Sequence, residues 1–158
     1  MSDLVEIGFW AASSDVSTPS RPWPEGSVDT AWAASQEAEI VASYLELHGV
    51  LESYEQGYSW CRFRCAAPAR SLGCCSFTDG QFVWPEGFAH YVRYHGVRPP
   101  APFVEQILQA ALRADCGANW PIRHGLMWDQ ESRAVVPLPR GTRDYLARMS
   151  TLRFPSEP

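Results

Sequence analysis

Lysine is absent from these 158 residues, and all thirteen basic side chains are arginine. Two chemistries are thereby excluded, the Schiff-base lysine and the phosphate-gripping lysine of a P-loop. No Gly-rich phosphate loop is visible either. Asparagine occurs once, as Asn119. Arginine so far ahead of lysine points to a GC-rich coding bias, and so to a bacterial source. No apolar run approaches the roughly 18 residues of a membrane span. Met1–Trp10 lacks the basic n-region and long apolar h-region of a secretion signal. The expectation is a cytoplasmic protein with no membrane association.

Apolar residues make up 46% of the chain and charged residues 20%, an ordinary globular balance. That is enough for one domain to bury a core without disulfides. A single domain over residues 1–154 is expected, with a Ser-, Pro- and Gly-rich loop at 11–27 and a loose tail at 155–158. Five cysteines, Cys61, Cys65, Cys74, Cys75 and Cys116, make an odd count. With no export signal, reduced thiols fit that count better than a disulfide framework. Cys74 and Cys75 are adjacent, so a strand would point them to opposite faces.

Charge is uneven. Residues 1–57 hold one Arg against ten acids, a net of −9, while residues 58–158 hold twelve Arg against eight acids, a net of +4. Either the two halves pack together and neutralise each other, or the basic half faces an anionic partner.

Hydrophobic periodicity predicts a short strand over 3–10 and a long helix over 28–48, capped by Ser27 or Asp29 and stopped by a left-handed Gly49. Residues 50–66 look extended, and within them 60–65 alternate, with Cys61, Phe63 and Cys65 on one face and Arg62 and Arg64 on the other. With strands at 72–78 and 81–84 around Asp79-Gly80, the strongest hairpin signal in the chain, they predict a three-stranded antiparallel meander. Pro85 and Glu86 suit the first turn of a helix over 85–95, ended by Gly96. A helix over 102–114, a late hairpin (126–128 with 135–138) and a helix over 142–149 complete the pattern. The fold class is α+β, a small antiparallel β-meander packed against three to four helices. The string Trp-Pro-Glu-Gly occurs at 23–26 and 84–87 and reads both times as a helix start.

The sharpest chemical constellation is Cys61-x3-Cys65 with His90-x4-His95, across a linker of 24 residues. Both pair spacings lie in the range of zinc ligands, and zinc takes thiolate and imidazole together. Five steps along an α-helix turn about 500°, which sets His90 and His95 some 140° apart. They can share one ion only if the helix ends or tightens near Tyr94, which Gly96 permits. The competing reading makes Cys61 and Cys65 small core residues of a strand. A thiol nucleophile among Cys61, Cys65, Cys74 and Cys75, meeting His90 or His95 with Asp79 or Glu86 behind, is a third possibility. Trp60, Arg62, Arg64, Arg93 and Tyr94 are candidate contacts for a partner or an anion. A net charge of −5 argues against nucleic acid. Asp79 reads better as a turn former than as an acid–base group. His48 reads as a structural helix end that favours its charged form. His124 has no evident partner. Seven tryptophans, mostly at element edges, glue loops onto the sheet or form a binding surface.

The block Cys61-Arg-Phe-Arg-Cys65, Thr78-Asp-Gly80, Trp84-Pro-Glu-Gly87, His90-Tyr-Val92 and His95-Gly-Val97-Arg-Pro99 resembles a family of small bacterial proteins with no assigned activity. The resemblance spans residues 58–104 and implies only that this block is one structural unit. The functional expectation is an accessory protein that binds a protein partner or a second copy of itself, with a zinc ion as the possible cofactor. The rivals are a small enzyme using a thiolate or a zinc-bound water, and a nucleic-acid-binding module.

Overall fold

The computed structural model of the chain describes residues 3–12, 21–150 and 152–154. Residues 13–20 of the expected 11–27 loop and the expected loose tail at 155–158 therefore lie outside the described residues. Asp79-Gly80 turns the chain as its sequence demands, with Gly80 at φ +94°. Asp79 Oδ1 accepts hydrogen bonds from the amides of Gln81 (2.9 Å) and Phe82 (2.8 Å). The turn joins β3 (Cys75–Thr78) to β4 (Phe82–Pro85), antiparallel in the register Ser76↔Pro85, Phe77↔Trp84, Thr78↔Val83. The other edge of β3 pairs antiparallel with β2 (Val50–Tyr54). An antiparallel meander thus stands at the centre, and its first strand, 50–54, is only the start of the stretch expected to be extended over 50–66; the alternating part at 60–65 is not a strand.

The sheet extends beyond it. β1 (Val5–Glu6) adds to β4 in parallel, and β5 (Leu126–Asp129) adds to β2 in parallel. β6 (Ala134–Pro137) closes the expected late hairpin, giving the order β1-β4-β3-β2-β5-β6. The fold is α+β, but the six-stranded sheet is mixed and not a pure meander. Parallel neighbours are joined through long crossovers, and no local pattern announces them.

Five α-helices occur among the described residues, one more than the upper expectation. The predicted helix over 28–48 is two, α1 (Thr30–Ala33) and α2 (Gln36–Leu47). Asp29 caps the first by accepting from the Trp32 amide at 3.0 Å, and the Ser35 hydroxyl caps the second through the Ala38 amide. Ser35 offers the backbone an alternative to continuing the helix, and the break follows from it. Gly49 is not left-handed; His48 ends α2 in an ordinary helical conformation. Gly49 is instead a close approach, because a Cβ there would lie 2.6 Å from Phe77 Cβ and 2.7 Å from Trp84 Cζ2. Gly49→Ala is expected to cost about 1–3 kcal/mol by overpacking, read as a lower urea midpoint.

α3 (Phe88–His95) begins later than expected, because pairing with Ser76 makes Pro85 the end of β4. The two Trp-Pro-Glu-Gly strings adopt different backbones. Pro24–Ser27 forms a 3-10 turn, whereas Trp84 and Pro85 belong to a strand. α4 (Ala101–Ala114) and α5 (Arg140–Met149) lie where periodicity places them. No helix among the described residues is long and apolar enough to cross a membrane.

The core lies between α2 and the sheet. Trp84 is wholly buried and donates its indole N–H to the Leu45 carbonyl at 3.0 Å. Trp120 does the same to Ile40 at 3.0 Å, and the Tyr44 ring sits 5.8 Å from Trp84 and 4.9 Å from Trp120. These tryptophans are packing groups whose polar atoms are satisfied by helix α2. Near their junction His48 bonds through Nδ1 to the Pro121 carbonyl at 3.0 Å. Burial holds its basicity below the ordinary value of 6.5 despite the Pro121 hydrogen bond, so the charged form expected at a helix end is not favoured. His124, 3% exposed and bonded through Nδ1 to the Arg153 carbonyl at 2.8 Å, is likewise lowered by burial. Both folded values lie below 6.5, so the unfolded chain takes up protons first as pH falls. The stability these two contribute is complete above about pH 6.5 and declines below it. In His48→Asn the side-chain amide can replace Nδ1, and the drop in urea midpoint between neutral and mildly acid pH is expected to shrink.

Candidate metal centre

The stretch 55–74 joins β2 to β3 with neither helix nor strand. The expected strand at 60–65 is instead a turn, in which the Arg64 amide donates to the Cys61 carbonyl at 2.9 Å and Arg64 takes φ +51°. As a strand, rising about 3.3 Å per residue, it would hold the Cα atoms of Cys61 and Cys65 about 13 Å apart. The turn folds them back on each other. Helix α3 supplies the partner that the alternating pattern could not reveal. The Tyr91 hydroxyl accepts from the Arg62 amide at 2.9 Å and donates to the Trp60 carbonyl at 3.3 Å, pinning the turn to the helix.

The same helix carries His90 and His95. Its last turn is wider than an α-turn, since the amides of Gly96 and Val97 both donate to the Tyr91 carbonyl, with Gly96 left-handed at φ +66°. This is how the 140° of a regular helix is overcome. Phe63 stacks on the His95 ring, centroids 4.5 Å apart and planes 22° apart, and fixes its orientation.

Both imidazoles point Nε2 at the thiols. Cys61 Sγ lies 3.3 Å from His95 Nε2, Cys65 Sγ lies 3.4 Å from His90 Nε2, and the two Nε2 atoms are 3.1 Å apart. All four ligand atoms fall within 4.8 Å of one another. A tetrahedral zinc with bonds near 2.3 Å to sulfur and 2.0–2.1 Å to nitrogen has edges of about 3.4–3.8 Å. The three shortest separations, 3.3, 3.4 and 3.1 Å, lie within about half an ångström of those edges. Cys61 is buried, and the other three are half-buried. Burial lowers both histidines, and His95 lowers His90 further, so both imidazoles keep the neutral form that ligates. Burial raises the Cys61 thiol, and the amides of Phe63 and Cys65 oppose it. The same contacts also make thiol–imidazole pairs, the geometry a cysteine nucleophile needs. A thiol raised by burial suits that role poorly.

The other sequence candidates spread around the turn. Trp60 is 48% exposed and Tyr94 74% exposed, and Tyr94 sits 5.2 Å from the His90 ring. Arg62 and Arg64 do not share a face. Arg62 lies over the Trp60 ring at 4.4 Å and donates to the Ala11 and Trp60 carbonyls, while Arg64 is exposed. Arg93 pairs with Glu39 at 3.0 Å and Glu46 at 2.7 Å, and Arg98 with Asp29 at 3.2 Å. These ion pairs join the basic half to the acidic half. Asp79 accepts from Tyr44 and Gln106 as well as from its own turn, which is a structural role.

A cleft of about 620 Å³ opens beside the cluster, with Cys65, His90 and His95 in one wall and Glu46, Tyr94 and His124 among the others. Sequence reasoning missed Glu46 and His124 here, since neither shares a motif with the ligands. It also misplaced Glu86, expected in the first turn of a helix. Glu86 precedes α3, and its carboxylate accepts from the amides of Cys74 (3.0 Å) and Cys75 (3.2 Å). The two sulfurs expected on opposite faces are 4.0 Å apart. The hairpin register carried the signal, because Ser76↔Pro85 sets Glu86 against Cys75 one step on.

No protein-family profile matches this chain, no curated protein is similar to it, and no solved structure matches its fold. The chemistry of the four converging side chains is therefore the ground for a functional reading.

Proposed function

We propose that this is a zinc-binding accessory protein of the bacterial cytoplasm, in which Cys61, Cys65, His90 and His95 hold one structural zinc and the surface around it receives a protein partner. The observation that carries the reading is the convergence of those four ligand atoms within 4.8 Å. They come from two segments that the fold has to bring together. Four protein ligands leave no open coordination position, and a closed site is a structural one. All five cysteines are free thiols, as a reducing compartment keeps them. For the partner, the support is exposed Trp60 and Tyr94 beside exposed Arg64, the residue types that dominate interface energetics.

The test is native mass spectrometry with metal analysis on protein purified without a histidine tag. One zinc per chain is expected, lost in Cys61→Ser and in His90→Ala. Protein that carries no metal after purification and takes up none on zinc addition would overturn the reading. A mass of two chains, or a co-purified protein that Trp60→Ala releases, would identify the partner.

The cleft favours a second reading, a small hydrolytic enzyme. Cys65, His90 and His95 line it and Cys61 does not. If only those three bind zinc, Cys61→Ser keeps the metal and one exchangeable water remains on it. Loss of zinc in that variant removes the enzyme reading. Nucleic acid has least support, because Arg62, Arg93 and Arg98 are engaged within the protein.

A further inference from the structure

We infer that Cys74, Cys75 and Glu86 form a second cation site, built for a borderline-to-soft divalent metal ion of the zinc class and independent of the Cys61–His95 centre. The three ligand atoms lie within 4.8 Å of one another, and the two sulfurs are 4.0 Å apart. That spacing is close to the sulfur–sulfur edge of about 3.8 Å in a tetrahedral zinc site.

The carboxylate is held in place by the backbone of the same two cysteines. Glu86 Oε2 accepts from the Cys74 and Cys75 amides, while the Glu86 amide donates to the Cys75 carbonyl at 2.8 Å. Gly73, at φ +69°, leaves room for the carboxyl group; a Cβ there would stand 1.9 Å from Glu86 Cδ. Outer hydrogen bonds of this kind orient ligands in metal sites. An access route exists, since Cys74 and Cys75 both line a cavity of about 330 Å³. That cavity is distinct from the cleft beside the first centre, although Glu86 borders the cleft.

Two thiols and a carboxylate supply soft donors and negative charge together, a set that selects zinc-like ions over magnesium or calcium. Binding converts two S–H groups to thiolates, forms two metal–sulfur bonds and releases two protons, with no change of oxidation state. Three protein ligands leave the fourth tetrahedral position for water or an exogenous ligand, which separates this site from the closed Cys2His2 cluster.

Cadmium titration of metal-depleted full-length protein tests the inference, because each thiolate bound to cadmium adds charge-transfer absorption. Two equivalents are expected in two steps, each step carrying the absorption of two thiolates. Cys74→Ser, a near-isosteric change, is expected to remove the second equivalent and leave the first. Glu86→Gln is expected to weaken the second step at least tenfold. Cys61→Ser is expected to remove the first step and leave the second. One equivalent that disappears only in Cys61→Ser would overturn this inference and keep the Cys2His2 reading. Two equivalents unaffected by Cys74→Ser would also overturn it, by placing the second ion elsewhere. Circular dichroism of each variant separates loss of a ligand from loss of the fold.

Discussion

Chelating the zinc of the proposed Cys2His2 centre is expected to leave the sheet standing and to open residues 55–74 to trypsin. Structural zinc contributes about 10–16 kcal/mol in finger peptides at neutral pH. That rivals the whole stability of an ordinary domain, about 5–15 kcal/mol. Here, however, the stabilisation is local. The stretch 55–74 contains no helix or strand, and its ties to the rest of the molecule are few. They include the Tyr91 hydroxyl, which accepts from the Arg62 amide and donates to the Trp60 carbonyl, and the Arg62 guanidinium on the Ala11 carbonyl at 3.1 Å. The aromatic core around Trp84, Tyr44 and Phe103 is held by its own ring contacts, although Cys61 belongs to the same buried cluster and Cys65 packs against it. Metal removal should therefore melt the turn and spare the core.

The readout is sharp because trypsin has no lysine to cut, and Arg62, Arg64 and Arg70 all lie in the released segment. First cleavage at those three positions, with far-UV circular dichroism largely kept, is the expected result. Digestion identical with and without chelator would show that no metal holds the turn. Collapse of the whole spectrum would place the metal in the folding core.

Trp84→Ala is expected to be the most damaging single substitution in the core. Trp84 has no exposed surface, fills the space between α2 and the sheet, and meets Tyr44 and Phe103. Truncating a buried tryptophan costs about 3–5 kcal/mol. Losing the indole bond to the Leu45 carbonyl adds about 1 kcal/mol. The sum is about a quarter or more of a typical domain's stability. Urea unfolding followed by circular dichroism should show a large fall in midpoint with little change in slope. Trp84→Phe, which keeps a ring and loses the N–H, should fall between the two. A Trp84→Ala midpoint within about 1 kcal/mol of the parent would place the centre of the core elsewhere.

Much of the secondary structure was legible from neighbouring residues alone. Asp79-Gly80 specifies its hairpin because few other pairs accept that turn. The stripe of Phe103, Val104, Ile107, Leu108 and Ala111 specifies α4, and all are buried except Leu108, which is half-buried. Gly96 ends α3 in the left-handed conformation that glycine tolerates best. The identities of the four candidate ligands were also readable, because thiol and imidazole at those spacings narrow the chemistry to a few options.

What the amino-acid sequence determined by itself was thus the class of fold, the position of its central hairpin and the donor set available to a metal. What only the tertiary structure decided was which segments meet. Alternation at 60–65 predicts a strand, yet a strand needs a partner edge, and β3 gives its edge to Val50–Tyr54 instead. Left without one, the segment folds into the turn that brings Cys61 to Cys65. Glu86 reads as a helix acid until the hairpin register sets it against Cys75. His90 and His95 diverge on a regular helix and converge because the last turn widens and Phe63 stacks on His95. Local patterns record the forces between near neighbours. The candidate sites depend on contacts 11 to 34 residues apart, where competition for sheet edges and buried volume sets the outcome.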